Sequence, residues 1–283
     1  MKFSRDFVQV CVIAAFLSNA QAKGTLIMAF CNGDSLYIGS DSLEMTLDGS
    51  YSNRVEKIRS VAKGCCFSLT GLATYNLPSK VNGRTLHFDC PQEMQNAFIE
   101  TRFPSLPLLI RITNAVAVFE RAFKSFCSEA IEGGANRADA FNQTYFTFWG
   151  QEEHSDCFYG LGWATEGTND GIFHATFDSK RNPRNIFLQG ESDFLLAFIK
   201  NHNDFPTVEL SDASKRTWDK IFSLQPVSDG EIIPEMVELF AVHRKYAPLL
   251  SSDRGFIGEP YVIWRLRNHV AVKLGSFTPG KSH

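Results

Sequence analysis

Apolar positions along this chain come in short runs that change period twice. Thr25 to Cys31 and Leu36 to Ser40 are runs of strand length, separated by Asn32-Gly33-Asp34-Ser35. Asn-Gly between two apolar runs is a strong hairpin signal, because tight hairpin turns need positive φ at their centre. Arg54 to Val61 and Cys65 to Thr70 repeat the pattern around Ala62-Lys63-Gly64. Residues 74–91 carry Pro78, Gly83 and Pro91 and read as a long surface loop. A short helix is expected from Pro91 to Arg102. From Leu109 to Ile131 the period lengthens. Ile112, Val116, Phe119, Phe123 and Phe126 recur at three and four residues, the apolar stripe of a long helix stopped by Gly133-Gly134. Residues 144–149, 156–163, 171–178 and 184–189 predict four strands rich in Phe, Tyr and Trp. Helices follow over 192–201 and 235–249, the second placed with Pro234 at its first position. Pro260 to Arg267 and His269 to Leu274 predict a last hairpin around Asn268.

The order is strands, helices, strands, helices, strands, which is the α+β class. Two antiparallel sheets covered by helices is its natural layering. No Pro/Ser-rich linker or internal repeat divides the chain, so residues 23–283 are expected to form one domain.

The N-terminus has the pattern of an export signal. Lys2 and Arg5 provide the positive start, Phe7 to Leu17 is apolar, and Ala20-Gln21-Ala22 fits a small-x-small cleavage site. The apolar run is eleven residues, well short of the ~20 needed to span a bilayer. A secreted or periplasmic protein without stable membrane insertion is expected once residues 1–22 are removed. Composition narrows the function classes further. The formal net charge is −3, with no dense run of Lys and Arg, which argues against a nucleic-acid partner. Six cysteines follow the signal: Cys31, Cys65, Cys66, Cys90, Cys127 and Cys157. They allow many pairings, and spacing does not choose among them. No Cys-x-x-Cys or His-x-x-x-His pattern is present, so no metal site is expected, and nothing calls for a cofactor. Asn142-Gln143-Thr144 is a glycosylation sequon for a eukaryotic host.

Candidate chemistry lies in four residues at regular intervals. Thr25 follows Gly24 at the start of the first strand. Asp41 comes sixteen residues later in Gly39-Ser40-Asp41-Ser42, Lys57 sixteen after that in Val55-Glu56-Lys57-Ile58, and Gly71 fourteen further on in Leu69-Thr70-Gly71-Leu72. With these residues, the stretch from Gly24 to Thr74 resembles the start of proteasome β subunits and of N-terminal-nucleophile hydrolases generally. The resemblance implies a four-layer αββα sandwich. It further implies a threonine freed at the Gly24-Thr25 junction as nucleophile, Asp41 and Lys57 as its polar partners, and the Gly71 N–H as oxyanion donor. The implied substrate is a peptide or small amide, and self-association is compatible with it. Signal cleavage after Ala22 leaves Lys23-Gly24 still to be removed. Family members also carry a serine after a glycine ahead of a helix, and an Asp with a Ser three residues on. Gly190-Glu191-Ser192 and Asp253 are the nearest matches, with Phe256 where that second Ser would stand.

The hairpin register bears directly on the nucleophile. A two-residue Asn32-Gly33 turn sets Lys23 opposite Ser42, whereas a loop over Asn32–Ser35 sets Thr25 there. Two other functions compete: a non-catalytic structural or binding protein of the same fold, and a thiol enzyme using a cysteine such as Cys31 or Cys66.

Overall fold

The computed structural model describes residues 25–45, 51–52, 55–79, 83–101, 106–136, 144–151, 158–164, 186–190, 192–222, 225, 227–250 and 257–279. Residues 1–24, the expected strand at 171–178, Asn142, Cys157, Asp253 and Phe256 lie outside them. Strands β1 (Leu26–Asn32), β2 (Ser35–Ser40), β11 (Ile186–Gly190), β12 (Tyr261–Arg267) and β13 (Val270–Phe277) form one antiparallel sheet in the order β11-β1-β2-β12-β13. A second antiparallel sheet runs β10 (Phe158–Ala164), β9 (Thr144–Gln151), β6 (Cys65–Gly71), β5 (Ile58–Ala62). Two small ribbons complete the strands: β3 (Glu44–Met45) with β4 (Tyr51–Ser52), and β7 (Thr74–Ser79) with β8 (Arg84–Asp89). The helices are α1 (Cys90–Glu100), α2 (Leu108–Glu132), α3 (Asp193–Lys200), α4 (Asp212–Phe222) and α5 (Asp229–Leu250). Among the described residues, no helix is long and apolar enough to cross a membrane.

Side-chain alternation turns these elements into four layers. On β6, Cys65, Phe67 and Leu69 face outward and meet the stripe of α2, where Phe119, Phe123 and Phe126 pack with Met94 and Phe98 of α1. On β1, Leu26, Met28 and Phe30 face the opposite way, toward Phe194, Trp218, Met236 and Phe240 of α3 to α5. The intervening residues Ile27, Ala29 and Cys31 meet Cys66 and Trp149 between the sheets. The chain is therefore an αββα sandwich with three stacked cores, the α+β layering that strand and helix order predicts. Phe rings account for much of the first core. Phe119 meets Trp163 edge-on at 5.2 Å and Phe146 at 5.2 Å, geometries that suit the ring quadrupole.

Three expectations need correction. Residues 74–91 do not form a loop: β7 and β8 make a hairpin, and α1 already begins at Cys90. Tyr75, Leu77 and Phe88 are buried against α2, a period-2 burial that the Pro and Gly punctuation hides. Pro78 is tolerated because this two-stranded ribbon is all edge. The last helix starts at Asp229 and not at Pro234. Glu231 accepts from the Ser228 N–H at 2.9 Å and hydroxyl at 2.8 Å, so Ser228-Asp229-Gly230-Glu231 caps it. Helix α4 was not expected at all, although the Ser211 hydroxyl caps it by accepting from the Ser214 N–H at 3.1 Å.

Helix α5 is keyed onto the first sheet at a glycine. A Cβ on Gly39 would lie 2.8 Å from Met236 Cε and 2.9 Å from Phe240 Cε2, so the helix rests on bare backbone. The same helix buries two titratable groups. Glu235 accepts from Ser214 Oγ at 2.8 Å, and burial pushes its carboxyl up to about 8. His243 is enclosed near Phe194, and burial brings it down to about 4.

These shifts set opposing slopes. The folded state keeps a proton on Glu235 that the unfolded chain releases near 4.5, so stability falls as pH rises from about 4.5 to about 8. The folded state refuses His243 a proton that the unfolded chain binds near 6.5, so stability is lost as pH falls from about 6.5 to about 4. The Glu235 and His243 contributions cancel between about 4.5 and 6.5, and above that Glu235 contributes a decline of up to ~1.4 kcal/mol per pH unit. Urea titrations at pH 6.5, 7.25 and 8 are expected to show a steeper decline for the wild type than for Glu235→Gln.

Candidate active site

The hairpin of β1 and β2 is where the site begins. Ile27 pairs with Ser40 and Asn32 with Ser35, around a turn of Gly33 and Asp34 with Gly33 at φ +60°. The register is the one expected from the longer loop, yet the turn is only two residues, because Asn32 and Ser35 themselves pair. Continued by two residues, it sets Thr25 opposite Ser42. Alternation then aims Thr25 with Ile27 and Ala29 into the space between the sheets.

Three of the four expected residues meet there. Asp41 follows the last residue of β2, and Lys57 precedes the first of β5. Lys57 Nζ donates to Asp41 Oδ1 and Oδ2, both at 3.0 Å, and to Thr25 Oγ1 at 2.9 Å. Relative exposures are 2% for Thr25, 0% for Asp41 and 1% for Lys57, so this is a buried ion pair touching a hydroxyl. Backbone donors complete the carboxylate. The Leu26 N–H reaches Asp41 Oδ1 at 2.9 Å, and the Leu43 N–H reaches Oδ2 at 3.0 Å. Gly258, from the other end of the chain, adds its N–H to Oδ2 at 3.4 Å. Burial raises the Asp41 carboxyl above the usual carboxylate range, against the pull of the Lys57 ammonium and these N–H groups.

Gly71 ends β6 in the same neighbourhood. The Leu69 N–H donates to the Lys57 carbonyl at 2.8 Å, so Gly71 lies two residues beyond the neighbour of Lys57. Its φ is +88°, a conformation that favours glycine. Ser192 is buried at the start of α3, two residues past Gly190. Asp253, Ala22 and Gly24 lie outside the described residues.

The reading from sequence missed Gly258, which reaches Asp41 across 217 positions with no local signal. It also treated Gly190 only as a flank of Ser192. Gly190 pairs with Leu26 at φ +88°, and a Cβ there would lie 2.0 Å from the Thr25 carbonyl oxygen. An isolated glycine closing a strand is the available signal for such an approach. The thiol alternative loses support at Cys66. Cys65 and Cys66 are buried free thiols on opposite faces of β6, and burial holds Cys65 up at about 12 and Cys66 well above the usual thiol range. Neither carries the thiolate that nucleophilic chemistry needs.

No protein-family model and no curated protein matches the chain. Among solved structures, it is similar to the Gly-1 mutant of Anbu from Hyphomicrobium sp. strain MC1. That likeness has 15% identity and a TM-score of 0.46, and covers 92% of this chain and 89% of the other. At that distance the reading of the site rests on the residues themselves.

Removing one partner of a buried ion pair strands the other. Lys57→Met is therefore expected to cost about 3–5 kcal/mol at pH 7. The stranded Asp41 then keeps a proton in the folded state that the unfolded chain releases, so the deficit should shrink as pH is lowered toward 5. Chemical denaturation of both proteins at the two pH values measures this. A deficit that stays the same at both would mean that Asp41 remains charged without Lys57.

Proposed function

We propose that this chain is an exported amide hydrolase of the N-terminal-nucleophile, proteasome-like kind, acting on a peptide or small amide through Thr25. One observation carries the reading: the Thr25 hydroxyl lies 2.9 Å from a Lys57 ammonium that both oxygens of Asp41 hold in place. A threonine hydroxyl is a weak nucleophile until a base takes its proton, and an α-amine on the same residue is such a base. Its ordinary pKa is about 7.7–8.0, and a neighbouring ammonium favours the neutral, proton-accepting form. Asp41 orients Lys57 and balances its charge. The Gly71 N–H is assigned to the oxyanion of the tetrahedral intermediate. Attack on the amide carbonyl gives an ester on Thr25, and the amine proton passes to the leaving nitrogen. Water then hydrolyses the ester. The export assignment is supported by the signal-like pattern of residues 1–22.

The reading requires a chain break between Gly24 and Thr25, since an amide nitrogen cannot accept the hydroxyl proton. A second reading, a non-catalytic member of the same fold, is favoured by the nearly complete burial of Thr25, Asp41 and Lys57. N-terminal analysis of the purified mature protein separates the two. Thr25 is expected as the first residue, and Thr25→Ala should abolish amide hydrolysis while keeping the fold. A protein that stably begins at Lys23 and hydrolyses no amide would support the structural role.

A further inference from the structure

The layer between the sheets divides into two halves of different chemistry. Away from Thr25 it is apolar: Ala29, Cys31, Leu36, Ile38, Phe187 and Leu266 fill it. Toward Thr25 the same alternation on each strand brings in polar groups. On β2, Ser40 continues the face of Leu36 and Ile38, and on β6, Ser68 and Thr70 continue the face of Cys66. Part of this polar half is paired internally. The Trp149 Nε1–H donates to Ser68 Oγ at 2.9 Å, and Thr147 Oγ1 donates to Gln189 Oε1 at 2.7 Å, joining the sheets.

Ser40 and Thr70 differ from these. Each is at most 1% exposed, and neither hydroxyl has a hydrogen-bond partner among the described residues. A buried hydroxyl without a partner is destabilising, and near-isosteric apolar replacements would remove that cost. Their positions in the chain are also specific. Ser40 immediately precedes Asp41 on one sheet, and Thr70 immediately precedes Gly71 on the other. The sheets meet here because Lys57, whose carbonyl accepts from Leu69, reaches across to Asp41 and Thr25. Each hydroxyl thus stands on the inner face of its sheet, one residue along the chain from Asp41 or from Gly71.

We propose that Ser40 and Thr70 are positioning residues that hold the water which hydrolyses the Thr25 ester. Buried waters occupy sites of this kind, where polar groups would otherwise lack partners. The inference rests on the function proposed above and adds its second half-reaction. The held water loses a proton to the Thr25 amine as its oxygen bonds to the ester carbonyl carbon. The bond from that carbon to Thr25 Oγ1 then breaks, the amine returns the proton to Oγ1, and a carboxylic acid leaves. Ser40 and Thr70 touch only the water, so they serve this step and not the first attack.

A small β-lactone separates the two half-reactions, because ring opening leaves an ester on the attacking hydroxyl that water must remove. Intact mass and peptide mapping of the mature protein would follow the adduct on Thr25 in wild type, Ser40→Ala, Thr70→Val and the double variant. The adduct is expected to form at similar rates in all four and to decay about tenfold or more slowly in the double variant. Hydroxylamine, a strong nucleophile that needs no held water, should restore the decay. The melting temperature of Thr70→Val should stay close to that of wild type, which guards against a folding defect. Equal adduct lifetimes in wild type and double variant would overturn the inference and leave the nucleophile assignment intact. A wild type that forms no adduct on Thr25 would overturn both. A crystal structure of the unreacted wild type should place a water within hydrogen-bonding distance of both hydroxyls, and a dry contact there would also sink the idea.

Discussion

Two opposite charges held out of water are the constraint around which this molecule is arranged. Each ion gives up a hydration worth several kcal/mol in effective terms, and attraction repays that only where every remaining lone pair finds a donor. Asp41 meets the condition with Lys57, two nearby backbone N–H groups and a third from Gly258. These contacts bring together the end of one strand, the start of another in the facing sheet, and the approach to β12. The ion pair is thus the seam of the sandwich as well as the centre of its candidate chemistry.

The seam depends on register. Had the first hairpin turned one residue earlier, the pairing would slide by two residues, setting Lys23 opposite Ser42 and Thr25 opposite Ser40, so Thr25 would keep its face but lose its place beside Asp41 and Lys57. The outer layers make such a slip costly. Leu26, Met28 and Phe30 are committed to the helices on one side, and Ile27, Ala29 and Cys31 to the facing sheet. Packing on both faces of β1 therefore protects the position of a hydroxyl that itself contributes little area.

How much of this was legible in the sequence follows from how local each signal is. The strand lengths, the stripe of α2 and the intervals from Thr25 to Asp41, Lys57 and Gly71 are carried by neighbouring residues, and they pointed to the sheets and to the Thr25, Asp41 and Lys57 side chains that the fold brings together. The turn at Gly33 and Asp34 was found, but its length was not, since pairing of Asn32 with Ser35 depends on the strands as a whole. The β7–β8 hairpin was hidden because Pro78 stands inside β7 and Gly83 just before β8, so residues that ordinarily punctuate loops here lie in or beside paired strands. Gly258 had no local signal at all. Its meeting with Asp41 is a product of topology, and a single sequence does not state topology residue by residue.

Gly39 carries a consequence for how this chain can diverge. A glycine inside a strand weakens the strand itself, yet here it forms the notch that Met236 and Phe240 fill. Drift at position 39 is thereby tied to drift at 236 and 240: a larger residue in the strand demands smaller ones on the helix at the same time. Among descendants of this sequence, the three positions are expected to be inherited as a set. The strand they constrain runs directly into Asp41, so the helical layer imposes a steric veto on change beside the buried ion pair.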